Sequence, residues 1–403
     1  EMVYESSLNE QAKEVAGAPK SVEHDLRKMR QRHGKVEQWQ GLTDLPETYA
    51  ILSKRCLLPD GSIAARVLLV ESGEITEIVE ADSVDERLVT EGELYDLGDA
   101  LVTPGLFSAH ASLGLTQAVD PDASPDASYI VAGDAVSKGF KGELELLKRG
   151  LTRAVLVPGD SNPIAGAASL VRLGAERQVA VRRVASKLVL NSNARSTERF
   201  PSSLPGQLKF IESSLAGQLF DTRLYLPDAI RKRMEESRSA FLKIVSEGDI
   251  PVLIAAQDDA EIRAALDLIQ RQRLKNAVLV GPKQLKQFIP RLKDLEICVI
   301  ADPMQVADYD WYLRDLVSAD RAGVAVYLSG ESPEELRLMA SLLVAQGMDA
   351  RTVLKKLCMG PGTLLGVQGL AEGAPADLVV WSSSPVSLQA TPLHVIVDGQ
   401  LRY

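Results

Sequence analysis

Histidine is scarce in this chain: 403 residues contain only His24, His33, His110 and His394. A site built from several imidazoles would need most of them to converge. Cysteine is nearly as rare. Cys56, Cys298 and Cys358 are odd in number and far apart, which excludes both a zinc-ligand spacing and a disulfide framework and leaves three buried thiols as the expectation. No apolar run approaches the roughly 18 residues needed to cross a membrane as a helix, so no membrane span is expected. Basic residues are outnumbered, 45 Lys and Arg against 55 Asp and Glu. The resulting net charge of -10 argues against a nucleic-acid partner, because binding its phosphates needs clustered Lys and Arg. The sequence starts at Glu1 without an apolar signal core. That leaves two expectations for compartment, a soluble cytoplasmic protein or one exported after losing a signal segment.

What is present is the balance of a soluble globular protein, 45% hydrophobic and 25% charged residues. The length is too great for one small core. It fits a barrel of roughly 250 residues and a second, smaller domain. Residues 1–45 are polar, with a helix expected around His24–His33. In the overlapping stretch Val22–Arg32, Val22, Leu26 and Met29 form a narrow apolar stripe suited to a neighbouring surface. From Tyr49 short β-type runs appear, Tyr49–Leu52, Ala65–Glu71 and Ile75–Val79, separated by turn signals such as Pro59-Asp60-Gly61.

From Leu101 the pattern alternates. Strands are expected at Leu106–His110, Arg153–Val157, Leu188–Leu190, Val252–Ala256, Ala277–Val280, Ile297–Ile300 and Val324–Leu328. Several are unbroken apolar runs, the mark of parallel strands buried on both faces. Helices are expected at Gly142–Arg149, Asp228–Ser246, Ala260–Gln272 and Pro333–Gln346, the last opened by Ser332 as N-cap and Pro333 in the first turn. A further helix, Ala350–Met359, leads to β-like Asp377–Trp381 and Leu393–Val397 and the turn signal Asp398-Gly399. The fold class is α/β: a (β/α) TIM-like barrel plus a small β-sandwich formed by both chain ends. The expected division is an extension at 1–45, a composite β-domain from 46–101 and 360–403, and a barrel over 102–359.

Three stretches carry a family likeness. Leu101-Val102-Thr103-Pro104-Gly105-Leu106-Phe107-Ser108-Ala109-His110-Ala111-Ser112 resembles the amidohydrolase superfamily motif that closes the first β-domain and opens the barrel. Val157-Pro158-Gly159-Asp160-Ser161-Asn162-Pro163-Ile164-Ala165-Gly166 resembles the loop after barrel strand two in the imidazolonepropionase-related branch. Pro375-Ala376-Asp377-Leu378-Val379-Val380-Trp381, followed by Val397-Asp398-Gly399, resembles the C-terminal return into the β-domain. The likeness spans about Tyr49 to Tyr403.

The resemblance implies hydrolysis of an amide, imide or related C–N bond by one or two divalent metals at the barrel mouth, where the metal activates a water. It also implies a ligand set that is largely missing. The strand-one His-x-His reads His110-Ala111-Ser112. The strand-five histidine falls near Ala255 or Gln257, the strand-six histidine near Val280, and the acid near strand four at Ser192. None of these is a good ligand for a borderline metal. The strand-eight acid falls at Glu331, which is either a general base or a charge favoured before a helix N-terminus.

The expectation is an amidohydrolase-like chain that has lost metal-dependent catalysis, leans away from being an enzyme, and serves as a binding or partner subunit. The alternative is an active hydrolase of cyclic amides or dipeptide-like substrates with an atypical site. Candidate residues are Glu331 as catalytic group and His110, Ser112, Asn162, Gly166 and Gln257 around a substrate or ligand. No metal ligand set and no cofactor are expected. The alternative is a single weakly bound divalent metal near His110. The partner expected is a second copy of the chain or an active paralogue.

Overall fold

The structure is a computed structural model that describes residues 36–38, 44–81, 93–115, 124–218, 228–305 and 311–403. The helix expected around His24–His33 and the stripe Val22, Leu26 and Met29 lie outside these residues. No helix among the described residues is long and apolar enough to cross a membrane.

The chain ends share one sheet of nine strands. Leu101–Pro104, which precedes the barrel, pairs antiparallel with Leu378–Trp381, which follows it, so that Val102 faces Val380 and Thr103 faces Val379. Thr48–Leu57, Ile63–Glu71 and Glu74–Glu80 extend the sheet on one side, and Pro392–Val397 and Gln400–Leu401 on the other. The sheet wraps a core of Tyr49, Ile51, Leu68, Tyr95, Val380 and Ile396. The buried Trp381 donates its indole N–H to Thr103 Oγ1 at 3.0 Å, tying the two ends together.

The second sheet has eight strands in sequential order. Barrel strands are β1 (Leu106–Ala111), β2 (Leu151–Leu156), β3 (Ile164–Arg172), β4 (Val179–Val189), β5 (Val252–Ala255), β6 (Ala277–Val280), β7 (Cys298–Ala301) and β8 (Val326–Leu328). The helices used below are α1 (Glu143–Lys148), α2 (Asp259–Gln272), α3 (Pro333–Ala345) and α4 (Ala350–Met359). Phe107, Ala109, Val155, Leu170, Leu253 and Val278 fill the barrel interior, with a larger outer core beneath the helices.

Three expectations are corrected. The segment through Gly166 is not a loop to its end, because β3 begins at Ile164. β3 runs antiparallel to both β2 and β4, so the barrel is not wholly parallel. Its sequence, Ile164-Ala165-Gly166-Ala167-Ala168-Ser169-Leu170, is rich in small residues of poor β propensity, and burial overrides that preference. The short strand expected at Leu188–Leu190 is the end of an eleven-residue strand whose start is masked by Arg182 and Arg183.

Between β1 and β8 the barrel is joined by a side chain. Buried Ser108 donates its hydroxyl to the Gly330 carbonyl at 2.8 Å and accepts the Gly330 N–H at 3.1 Å. The Pro104-Gly105 step into β1 also has a packing cause. A Cβ on Gly105 would lie 2.1 Å from Thr152 Oγ1 of β2, so only glycine lets the two strands meet.

Candidate functional site

Functional groups on this architecture belong at the ends of the strands that point to the C-terminal mouth. There β5 and β6 present Ala255 and Val280, both buried and apolar. Neither can hold a metal or move a proton.

The charged group in the interior is one the sequence reading missed. Lys187 of β4 is 1% exposed. Its ammonium donates to the Pro158 carbonyl at 2.6 Å and pairs with Asp160 Oδ1 at 2.7 Å. Asn191 Nδ2 donates to the other oxygen, Asp160 Oδ2, at 2.6 Å. Burial alone would raise the Asp160 carboxyl. The charge and hydrogen bond of Lys187, with His110 and Asn191, outweigh it and hold the group below the ordinary carboxylate range. Ser192, the position compared with the family's strand-four acid, is exposed on the following turn.

His110 lies within electrostatic range of this pair. Its Nε2 is shielded from solvent and has no hydrogen-bond partner among the described residues. Burial first, and then the charge of Lys187, push the imidazole down to about 3 against the opposing pull of Asp160. It is therefore neutral over the physiological range.

Glu331 and Ser112 do come together, across the seam between β8 and β1. Both Glu331 oxygens accept the Ser112 N–H, at 2.9 and 3.0 Å, and Oε1 also accepts the Ser112 hydroxyl at 3.1 Å. Burial raises the Glu331 carboxyl, the Ser112 bonds lower it, and Glu335 adds to the rise, with a net upward shift. Both residues are exposed and line a cleft of about 680 Å³ that also takes in Phe140, Glu145, Arg149 and Glu334, between α1 and α3.

The remaining candidates lie elsewhere. Asn162 is fully buried and accepts from Arg199 Nη2 at 2.8 Å. Gly166 has φ +116, and an added Cβ would stand 2.6 Å from the Ile130 carbonyl, so the glycine lets two backbones touch. Gln257 follows β5. Its N–H donates to Glu261 Oε2 at 3.0 Å and its carbonyl accepts from Lys283 at 2.9 Å, as part of the start of α2. The structure thus unites Ser112 with Glu331 and puts His110 beside Lys187 and Asp160, with Asn162, Gly166 and Gln257 in separate packing roles.

The donors can be tested against the metal that this architecture implies. His110 and Asp160 are the two ligand-type groups in electrostatic contact, and both Asp160 oxygens are already taken by Lys187 and Asn191. Among the described residues no group of three His, Cys, Asp or Glu stands close enough to share an ion. A protein site for zinc needs three or four such donors. An ion shared by His110 and Asp160 would have to displace the Lys187 ammonium from Asp160. The described residues do not fit the metal.

No protein-family model and no curated protein matches the chain. Solved structures do. An amidohydrolase from Thermotoga maritima MSB8 is similar with a TM-score of 0.75 at 18% identity, over 88% of this chain and 99% of that one. An A. niger ochratoxinase reaches 0.55 at 14% identity, over 89% and 96%. A prolidase complexed with N-methylphosphonate-L-proline reaches 0.54 at 13%, over 88% and 99%. Identities this low transfer no residue roles, but the backbone agreement spans both sheets. The chain is built on the amidohydrolase fold.

Proposed function

We propose that this chain is an amidohydrolase-like barrel without metal-dependent catalysis, used as a binding or partner subunit. One observation carries the reading: the ammonium of Lys187, buried near the C-terminal end of β4, is locked to Asp160 at the mouth. A fixed cation there repels a second one, and Ala255 and Val280 supply no donors to offset it. The neutral, unpartnered Nε2 of His110 suits a hydrogen bond to a small polar ligand better than metal chemistry. The partner expected, a second copy or an active relative with this fold, accords with a barrel kept for its surface.

The competing reading, hydrolysis through His110, Glu331 and Gln257, has one observation in its favour. The Glu331 carboxyl is shifted upward, as a general base can be. Against it, both Glu331 oxygens are occupied by Ser112, and Gln257 follows β5, across the barrel from the β1–β8 seam.

Turnover separates the two. Dipeptides, N-acyl amino acids and cyclic imides are offered to the full chain with added zinc or manganese, beside His110→Ala and Glu331→Gln. No release above the no-protein control is the expected result. Release that disappears in either variant would establish the hydrolase reading instead.

A further inference from the structure

The geometry points to a second binding site at the opposite, N-terminal end of the barrel, one that takes a small organic anion with an apolar body. A cavity of about 690 Å³ lies there, between the start of β8, the last turns of α4 and the glycine-rich segment that follows it. Its charged lining is all of one sign, Lys355 and Lys356, and no Asp or Glu lines it, although the whole chain carries ten negative charges in excess. Thr363 and Gln368 add neutral hydrogen-bonding groups, while the hydroxyls of Thr352 and Tyr327 donate to Asp349 and Cys298 Sγ. Val326, Met359 and Val367 give an apolar wall.

The two lysines differ. Lys356 is spent: its ammonium pairs with Asp320 at 2.7 Å and donates to the Val326 carbonyl at 3.1 Å. Lys355 is exposed and forms no ion pair among the described residues. Its one hydrogen bond is a long donation to the Asp60 carbonyl at 3.4 Å. Asp60 is close enough to feel its charge but turns Oδ1 to the Ser62 N–H and hydroxyl. Gly61 sets the lysine in place, since a Cβ there would stand 3.2 Å from Lys355 Cδ.

A third cation stands behind the wall. Arg153 of β2 is 5% exposed and makes no ion pair among the described residues. It donates to the carbonyls of Cys358 at 2.8 Å and Gln368 at 3.1 Å, stacks 5.0 Å over the Phe107 ring, and leaves Nε without a partner. Asp377 reaches it only through space and is already held by Arg172. A buried guanidinium without a counterion raises the potential of the segment it holds, from Cys358 to Gln368, and that segment walls the cavity. Two cations without a paired carboxylate, the polar groups of Thr363 and Gln368 and an apolar wall select an anion with a short hydrocarbon body over a neutral or cationic molecule of the same size.

Calorimetric titration of the full chain with hexanoate, hexyl phosphate and hexanol, at low and high ionic strength, tests the site. Both anions should bind, hexanol should be weaker by about tenfold or more, and salt should weaken the anions alone. The tighter of the two anions assigns the head group, carboxylate or phosphate. Lys355→Glu should cost about tenfold or more and Lys355→Gln less. Lys243→Glu, on the outer helix Asp228–Glu247 and away from both cavities, should change nothing. Thermal melting of each variant without ligand confirms that it is folded. Equal binding of hexanol, absence of binding by both anions, or Lys355→Glu binding as the parent does would each overturn the proposal.

Discussion

The mouth of the barrel and its junction with the β-domain both bury a cation, and they treat it differently. At the junction Arg172, at the end of β3, meets Asp377 in a two-pronged contact, with Nε and Nη2 each 2.6 Å from a carboxylate oxygen. It also holds Asp398, whose other oxygen accepts the Glu176 N–H at 2.9 Å and whose own N–H donates to Asp377 Oδ1 at 3.1 Å. One guanidinium is shared by two carboxylates, and each carboxylate has a further donor. At the mouth Lys187 has one carboxylate, and the nearby His110 keeps a shielded nitrogen with no partner. A buried polar group that only holds a fold together is normally satisfied. The junction has the form of a finished structural clasp. The mouth has the form of a site that has lost a partner or awaits one.

Breaking the clasp gives the largest expected effect. Arg172→Met leaves Asp377, with its side chain 7% exposed, beside Asp398 and without a cation in direct contact. Removing one partner from a buried ion pair should cost about 3 kcal/mol. Urea denaturation measures it. A loss no larger than that of an exposed pair, such as Arg182 with Asp134, would show the clasp to be ornamental.

The mouth gives a smaller, pH-dependent effect. His110 is pushed down to about 3 in the folded chain, chiefly by burial, while an unfolded histidine titrates near 6.5. Above pH 6.5 both states are neutral there and the group contributes nothing to the pH dependence. As pH falls from about 6.5 toward 3 the unfolded chain takes up a proton that the folded chain refuses, so stability drops. His110→Phe removes that part of the acid loss. Its stability curve should run flatter than the parent's over this window and parallel to it above. Parallel curves throughout would mean that His110 titrates normally.

The contrast also explains what the sequence could disclose. The clasp was half legible. Asp377 and Asp398 sit in the stretches that resemble the family's C-terminal return, but their partner, Arg172, closes a strand more than 200 residues earlier that small residues disguised. The barrel's parallel strands were legible because burial on both faces forces unbroken apolar runs, as in Ala277–Val280. β3 was not, because its alanines and glycine are chosen for close packing, which leaves no periodic signature. At the mouth the candidate residues could be read one position at a time. The buried group there could not, because Lys187, Asp160 and Asn191 become a unit only when β4 and the loop after β2 are brought together. The available signal was a lone lysine in the otherwise uncharged run Val184–Leu190.

The central claim is that the mouth has exchanged a metal for an internal cation. Elemental analysis of the full chain, purified without chelators and then dialysed against equimolar zinc, tests it most directly. The account predicts metal far below one equivalent, and the same trace amount in His110→Ala. One equivalent of zinc, iron or manganese in the parent, lost in His110→Ala, would contradict it.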